Sequence, residues 1–204
     1  MAVSPDGRYA ALLNDGYGTQ ETLAQQSIAI LDLKNNHIFD YPDSRLRDES
    51  HQSYFIGLAF SSDGKRLYAS VGSVTDPRGE RAGDLGNGIA MYSFSQGKVT
   101  ADRFIPIAPQ PIAPGKKAAI ALQKTPPQTA IPYPAGLAVI SAGSTAGNSI
   151  PGSGDDQLLV ANNLSDNVVL LARAKDIQHH PPMSPRACND DVHVNVIGRW
   201  QRLS

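Results

Sequence analysis

Ala2-Val3-Ser4-Pro5-Asp6-Gly7-Arg8-Tyr9-Ala10-Ala11-Leu12 and Ala59-Phe60-Ser61-Ser62-Asp63-Gly64-Lys65-Arg66-Leu67-Tyr68-Ala69 are two copies of one pattern. Each reads as a short apolar run, Ser-x-Asp-Gly, a basic residue and a second apolar run. Asp-Gly between two β-type runs is a hairpin signal, because glycine takes positive φ without steric cost and aspartate bonds to the backbone ahead of it. Asp6, Gly7, Asp63 and Gly64 are therefore assigned to structural turns.

Each hairpin is followed by another. In the first unit Ser27 to Leu33 runs out, Lys34-Asn35-Asn36-His37 turns, and Ile38 to Tyr41 returns. In the second, Gly88 to Phe94 runs out, Ser95-Gln96-Gly97-Lys98 turns, and Val99 to Ile107 returns. A looser third unit begins at Ala135-Gly136-Leu137-Ala138-Val139, which parallels Ile56-Gly57-Leu58-Ala59-Phe60; residues 141–154, rich in Gly, Ser and Ala, replace its Asp-Gly turn. Strands are expected again at Gln157 to Asn163 and Asn167 to Ala172. The expected fold is all-β, with about three four-stranded antiparallel units at about 1–45, 53–107 and 135–172. A sheet with one apolar face cannot bury it alone, and stacking repeats face to face does so. An ordinary β-sandwich is the competing architecture.

Composition agrees with a turn-rich β protein. Of 204 residues, 41% are hydrophobic and 18% charged, and Gly with Pro makes about 16% of the chain, against roughly 12% on average. A formal net charge of −1 argues against nucleic-acid binding through bulk basic charge. One cysteine excludes an intrachain disulfide. No apolar run reaches the roughly 18 residues of a membrane span, and the amino terminus does not read as a signal peptide.

The same residues resemble the YVTN-repeat β-propellers, within the broad set of seven-bladed, quinoprotein-dehydrogenase-like and WD40-like propellers. Ser4-Pro5-Asp6-Gly7 matches that family's turn fully and Ser61-Ser62-Asp63-Gly64 in three of four positions. Leu159-Val160-Ala161-Asn162-Asn163 matches its Val-Ala-Asn strand and Ile28-Ala29-Ile30-Leu31-Asp32-Leu33 its next strand. The narrower likeness, through Met1 to Gly18, is to bacterial propellers that precede an alkaline-phosphatase-like phosphoesterase domain. The resemblance covers about residues 1–172 and implies a partial, unclosed propeller, since a closed one takes about 4–8 blades. On this reading the chain is a fragment of a larger exported bacterial protein, with periplasmic or secreted full-length relatives. With no catalytic constellation in the chain, the expectation is a non-enzymatic module that binds a small molecule or a protein, with no cofactor assigned; the uncovered faces of an incomplete stack lead to an expectation of self-association. The alternatives the resemblance implies are part of a lactonase or quinoprotein-type dehydrogenase, or an accessory domain of a phosphoesterase.

Candidate ligand-site residues are His51 and Tyr54, in the stretch entering the second unit, where propeller loops face a central channel. No catalytic or metal-binding residue is assigned. Gly83-Asp84-Leu85-Gly86-Asn87-Gly88 opens a strand rather than the helix a dinucleotide fingerprint requires. Gly143-Ser144-Thr145-Ala146-Gly147 carries its serine one place early for a hydrolase elbow. His179, His180, Cys188 and His193 lack a fourth ligand and a rigid frame for zinc. Asp155 and Asp156 read as a strand cap, and Asn163-Leu164-Ser165 fits a glycosylation sequon. Residues 104–134 form a Pro-rich insertion, in which Ala118 to Leu122 could be a short strand or a helical turn. Residues 173–204 are expected to be an irregular tail, either a reading-frame scar or a loop leading to a strand at 192–198.

Overall fold

In a computed structural model the chain is described over residues 1–15, 25–46, 51–118, 120, 125–141, 156–173 and 192–199. The described residues are all strand, turn and loop, without helix, and their fourteen strands form four antiparallel sheets, none closed. The first sheet takes β1 (Ala2–Val3), β2 (Tyr9–Asn14), β3 (Ser27–Asp32) and β4 (His37–Pro42) in sequence order. The second takes β5 (Ser53–Phe60), β6 (Arg66–Gly72), β7 (Gly88–Ser95) and β8 (Lys98–Pro106). From the Pro-rich insertion β9 (Gln110–Pro111) pairs with β10 (Thr129–Ala130). The third four-stranded sheet takes β11 (Pro134–Ile140), β12 (Gln157–Asn162), β13 (Asn167–Arg173) and β14 (Val192–Arg199).

The Ser-x-Asp-Gly turns are built alike. Ser4 Oγ donates to Asp6 Oδ1 at 2.5 Å and accepts Tyr9 N–H at 2.9 Å, while Arg8 N–H reaches Asp6 Oδ1 at 3.1 Å. In the second copy Ser61 Oγ donates to Asp63 Oδ1 at 2.7 Å, and Lys65 and Arg66 N–H bond to Asp63 and Ser61 at 2.9 Å each. Gly7 and Gly64 both adopt φ of +69°, which a side chain would strain. Serine and aspartate thus satisfy the backbone donors that the tight reversal leaves open.

The sheets pack in sequence. Tyr9, Ala11, Ile28 and Ile30 of the first meet Phe60, Leu67, Tyr92 and Phe94 of the second in one apolar core. Tyr68, Ile89 and Met91, on the other face of the second sheet, meet Leu158, Val160, Val169 and Leu171 of the third. Covering on both faces explains why β6 and most of β7 are buried without alternation. The extensive contacts between sheets fall on their first two strands, with β5 touching β1, β2 and β11.

Two expectations change in extent. The third sheet draws its fourth strand from 192–199 rather than ending at 172: β14 pairs with β13 from Asn167↔Arg199 to Arg173↔Val192. The Pro-rich insertion carries its own short pairing, Gln110 with Ala130 and Pro111 with Thr129. Residues 119, 121 and 122 of the expected 118–122 element, and the whole of 142–155 and 174–191, lie outside the described residues, as do Gly143 to Gly147, Asp155, His179, His180, Cys188 and Trp200.

Candidate functional site

Residues 43–46 follow the first sheet and 51–52 lead into the second, and the long loop 73–87, which joins β6 to β7, lies beside Gln52. Pro42-Asp43 starts the first stretch with a turn, and Asp43 accepts the Arg45 and Leu46 region back onto itself: Arg45 N–H bonds Asp43 Oδ1 at 2.9 Å and Leu46 N–H its carbonyl at 2.9 Å. The Arg45 guanidinium pairs with both Asp43 oxygens, at 2.7 to 3.1 Å, and lies 5.1 Å from the Tyr92 ring centroid. Tyr92 OH donates to Asp43 Oδ2 at 2.6 Å and is 2.6 Å from Tyr54 OH. Burial alone would raise the Asp43 pKa, but the bonds from Arg45 and Tyr92 outweigh it and hold the carboxyl below the usual range. The two phenols are pushed up, first by burial, so both stay protonated.

Glutamines lock the loops together. Gln26 Oε1 accepts Tyr54 N–H at 2.8 Å and its amide donates to the Gln52 carbonyl at 2.9 Å. Gln52 Oε1 accepts the N–H groups of Leu85 and Gly86 at 2.6 and 3.0 Å, and its amide donates to the Arg45 carbonyl at 3.3 Å. Asn87 ties the loop's last residue to its first, accepting Ser73 N–H at 2.5 Å, and donates to the Pro132 carbonyl. Within the loop Asp76 accepts Glu80 and Arg81 N–H at 2.9 Å each. Burial would raise its pKa, but these two donors and the Asp84 side chain lower it.

His51 sits at the rim of this frame, its side chain 44% exposed and its Nδ1 3.4 Å from Asp84 Oδ2. On the far side of the loop lies a cleft of about 280 Å³, between Asp76, Arg78 and Glu80 and the Pro-rich insertion at Pro109, Thr125 and Ile131. Arg78 and Glu80 pair at 2.9 Å on its wall. A second cleft, of about 500 Å³, lies at the opposite, turn end of the first junction, between Asp6, Arg8 and Tyr9 and Asp63, Lys65 and Gln96.

Of the two residues expected at a ligand site, the structure brings them three positions apart on one strand entry but into different surroundings. His51 faces solvent, whereas Tyr54 is 1% exposed with its hydroxyl bonded to Tyr92. Asp6 and Asp63 bond within their turns. Asp156, at the start of β12, caps across sheets rather than within one: it accepts Ser62 N–H at 2.6 Å and Ser62 Oγ–H at 2.5 Å. Sequence reasoning passed over Gln26, Asp43, Gln52 and Asp84, since lone polar residues beside strands look like solvated ends. Pro42-Asp43, a turn signal at the mouth of a repeat junction, was the readable trace of that network. Among the described residues no group of three or more His, Cys, Asp or Glu is set to hold a metal ion, and no helix is long and apolar enough to cross a membrane.

Compared with known proteins, the chain matches no family model, no curated protein and no solved structure.

Proposed function

We propose that the chain is a non-enzymatic binding module of the propeller type, of the YVTN-repeat kind that its sequence resembles. Its binding surface is the loop end formed by residues 43–46 and 51–52, loop 73–87, and Pro109, Thr125 and Ile131 of the Pro-rich insertion. Three consecutive four-stranded meanders whose first strands approach one another favour a fan of blades over a two-layer sandwich. The observation that carries the binding reading is the clamped loop 73–87. Gln52 and Asn87 fix its ends, and it holds out His51 on one side and Arg78 with Glu80 on the other. Polar groups on a loop held by a rigid scaffold are what recognition sites are made of. The mixed charge of the cleft suits a small polar ligand or a polar protein segment bearing both a carboxylate and hydrogen-bond donors.

Amide chemical-shift mapping tests this, with hexoses, mono- and dicarboxylates and short zwitterionic peptides as probes. Shifts are expected in 51–54 and 75–87, and weaker binding in His51→Ala or Arg78→Ala. Shifts confined to Asp6, Lys65 and Gln96 would move the site to the turn-end cleft and end this reading.

A further inference from the structure

Among the described residues, no other sheet covers the outward, largely apolar face of the first sheet. Val3, Leu12, Leu33 and Ile38 are 53%, 40%, 44% and 70% exposed. Strand register shows what this face corresponds to elsewhere in the chain. Val3, Ala10, Leu31 and Ile38 lie in one row across all four strands. The matching row of the second sheet is Phe60, Leu67, Tyr92 and Ala101, and its first three members are packed against the first sheet. The matching row of the third is Val139, Leu158 and Leu171, packed against the second. In both cases the row is covered by the far face of the preceding sheet.

That far face also repeats. Ala2, Ala11 and Ile30 form it in the first sheet, and Tyr68 and Met91, in register, in the second. In the third sheet the corresponding row is Ala138, Leu159 and Leu170, with Ala138 exposed, Leu159 half-buried and Leu170 buried. The chain therefore carries both halves of an interface that it already makes twice, one on its first sheet and the other on its third.

We infer that two copies of this chain join head to tail, the outward face of the first sheet of each on the far face of the third sheet of the other. The interface is heterologous, and it closes when the rotation per sheet brings the second copy back to the first. Two copies of three sheets make six, within the roughly 4–8 blades at which such rings close. The inference rests on the propeller reading, because only a fan of sheets lets both junctions form at once.

Sedimentation of the full chain at tens of micromolar tests it, on a Cys188→Ser background to exclude adventitious disulfides. The wild type is expected to be a dimer. Leu12→Lys and Leu159→Arg are each expected to raise the dimer dissociation constant about 100-fold or more, since each buries a charge without a partner at a position whose counterpart, Ala69 or Tyr68, is buried in a junction already made. An equimolar mixture of the two variants regains one intact junction and returns to a dimer. A monomeric wild type, growth beyond the dimer, or variants that fail to complement overturn the inference. Val3→Lys stands in should Leu12→Lys lose its far-ultraviolet β signal, and Val168→Lys likewise for Leu159→Arg. Small-angle scattering of the monomeric variant separates the two levels: a fan without dimers ends only the pairing, and a compact two-layer body ends the propeller reading with it.

Discussion

The two junctions between sheets are made of the same repeat and hold together by different means. At the first, aromatic bulk fills the gap. Phe94 stands edge-on to Tyr9 and to Phe60, with centroids 5.4 and 5.0 Å away, and the Asp43–Tyr92–Tyr54 chain runs through the buried layer beside them. At the second, the core is mostly aliphatic and the backbones come closer. A Cβ on Gly57 would overlap the Ala135 carbonyl oxygen, and one on Gly72 would sit 2.8 Å from the Tyr133 ring. One repeat can thus be sealed by large side chains and polar satisfaction, or by leaving side chains out. The first solution is sensitive to deletion and the second to addition.

The largest effect expected from that contrast is Phe94→Ala. It removes a ring that two other rings pack against, and should cost about 3–5 kcal/mol. Chemical denaturation checks it, and a loss under about 1 kcal/mol would mean the aromatic trio is not what seals the first junction. Next comes Gly57→Ala, at about 2–3 kcal/mol through overpacking. Its counterpart in the repeat, Gly136, would meet only the Ala161 Cβ at 3.5 Å, so Gly136→Ala should change stability by no more than about 0.5 kcal/mol. Equal effects at the two glycines would dissolve the distinction between a close approach and an ordinary strand position.

Tyr92→Phe is expected to cost about 1–3 kcal/mol at neutral pH, because it withdraws a donor from a buried carboxylate. Its pH dependence follows from Asp43. The folded-state pKa is lowered, so the carboxylate contributes stability that is fully present above the unfolded value, about 3.9, and is lost as pH falls through the folded value. The gap between Tyr92→Phe and wild type should therefore narrow below about pH 4. Acid denaturation followed by circular dichroism reads this directly, and a gap that stays constant would remove Asp43 from the account.

How much of this could be read in advance depended on whether a residue's role is local. Ser4, Asp6 and Gly7, with Ser61, Asp63 and Gly64, act within four or five residues of themselves, so the hairpins and four-strand units were legible from spacing alone. So was the turn at Gln96 and Gly97, both at positive φ. The fourth strand of the third sheet was only half legible. Val192 to Gly198 alternates like a strand, but the residues before it carry no repeat period to say which sheet it joins, and only pairing to Val168, Leu170 and Ala172 does. His51 was readable as a loop residue near a repeat junction. Its frame was not, because Gln26, Gln52 and Asp84 meet across 26 to 33 positions of sequence, and no local pattern encodes a long-range amide clamp. Tyr54 shows the same blindness from the other side: an aromatic entering a strand looks the same whether it lines a surface or is sealed by a second tyrosine.

The smallest expected effect tests whether the repeat itself explains a substitution inside it. Pro5 and Ser62 hold the same place in the Ser-x-Asp-Gly turn. At the first junction Pro5 lies over Gly64, its Cδ about 3.3 Å from where a Cβ would be, and it has no N–H to give. At the second, Ser62 spends both its N–H and its hydroxyl on Asp156. Ser62 is exposed and Asp156 half-buried, so the pair should contribute only about 0.5–1 kcal/mol. Ser62→Pro restores the first junction's residue in a turn already shaped for it, and stiffening of the unfolded chain offsets part of the lost bonds. The single variants therefore say little alone, and the double-mutant cycle with Asp156→Ala is the informative measurement. A coupling of about 0.5–1 kcal/mol would tie Ser62 to the aliphatic junction's need for a polar latch at its rim. A coupling of zero would leave the departure from Ser-Pro-Asp-Gly without a structural cause and weaken the equivalence of the two turns.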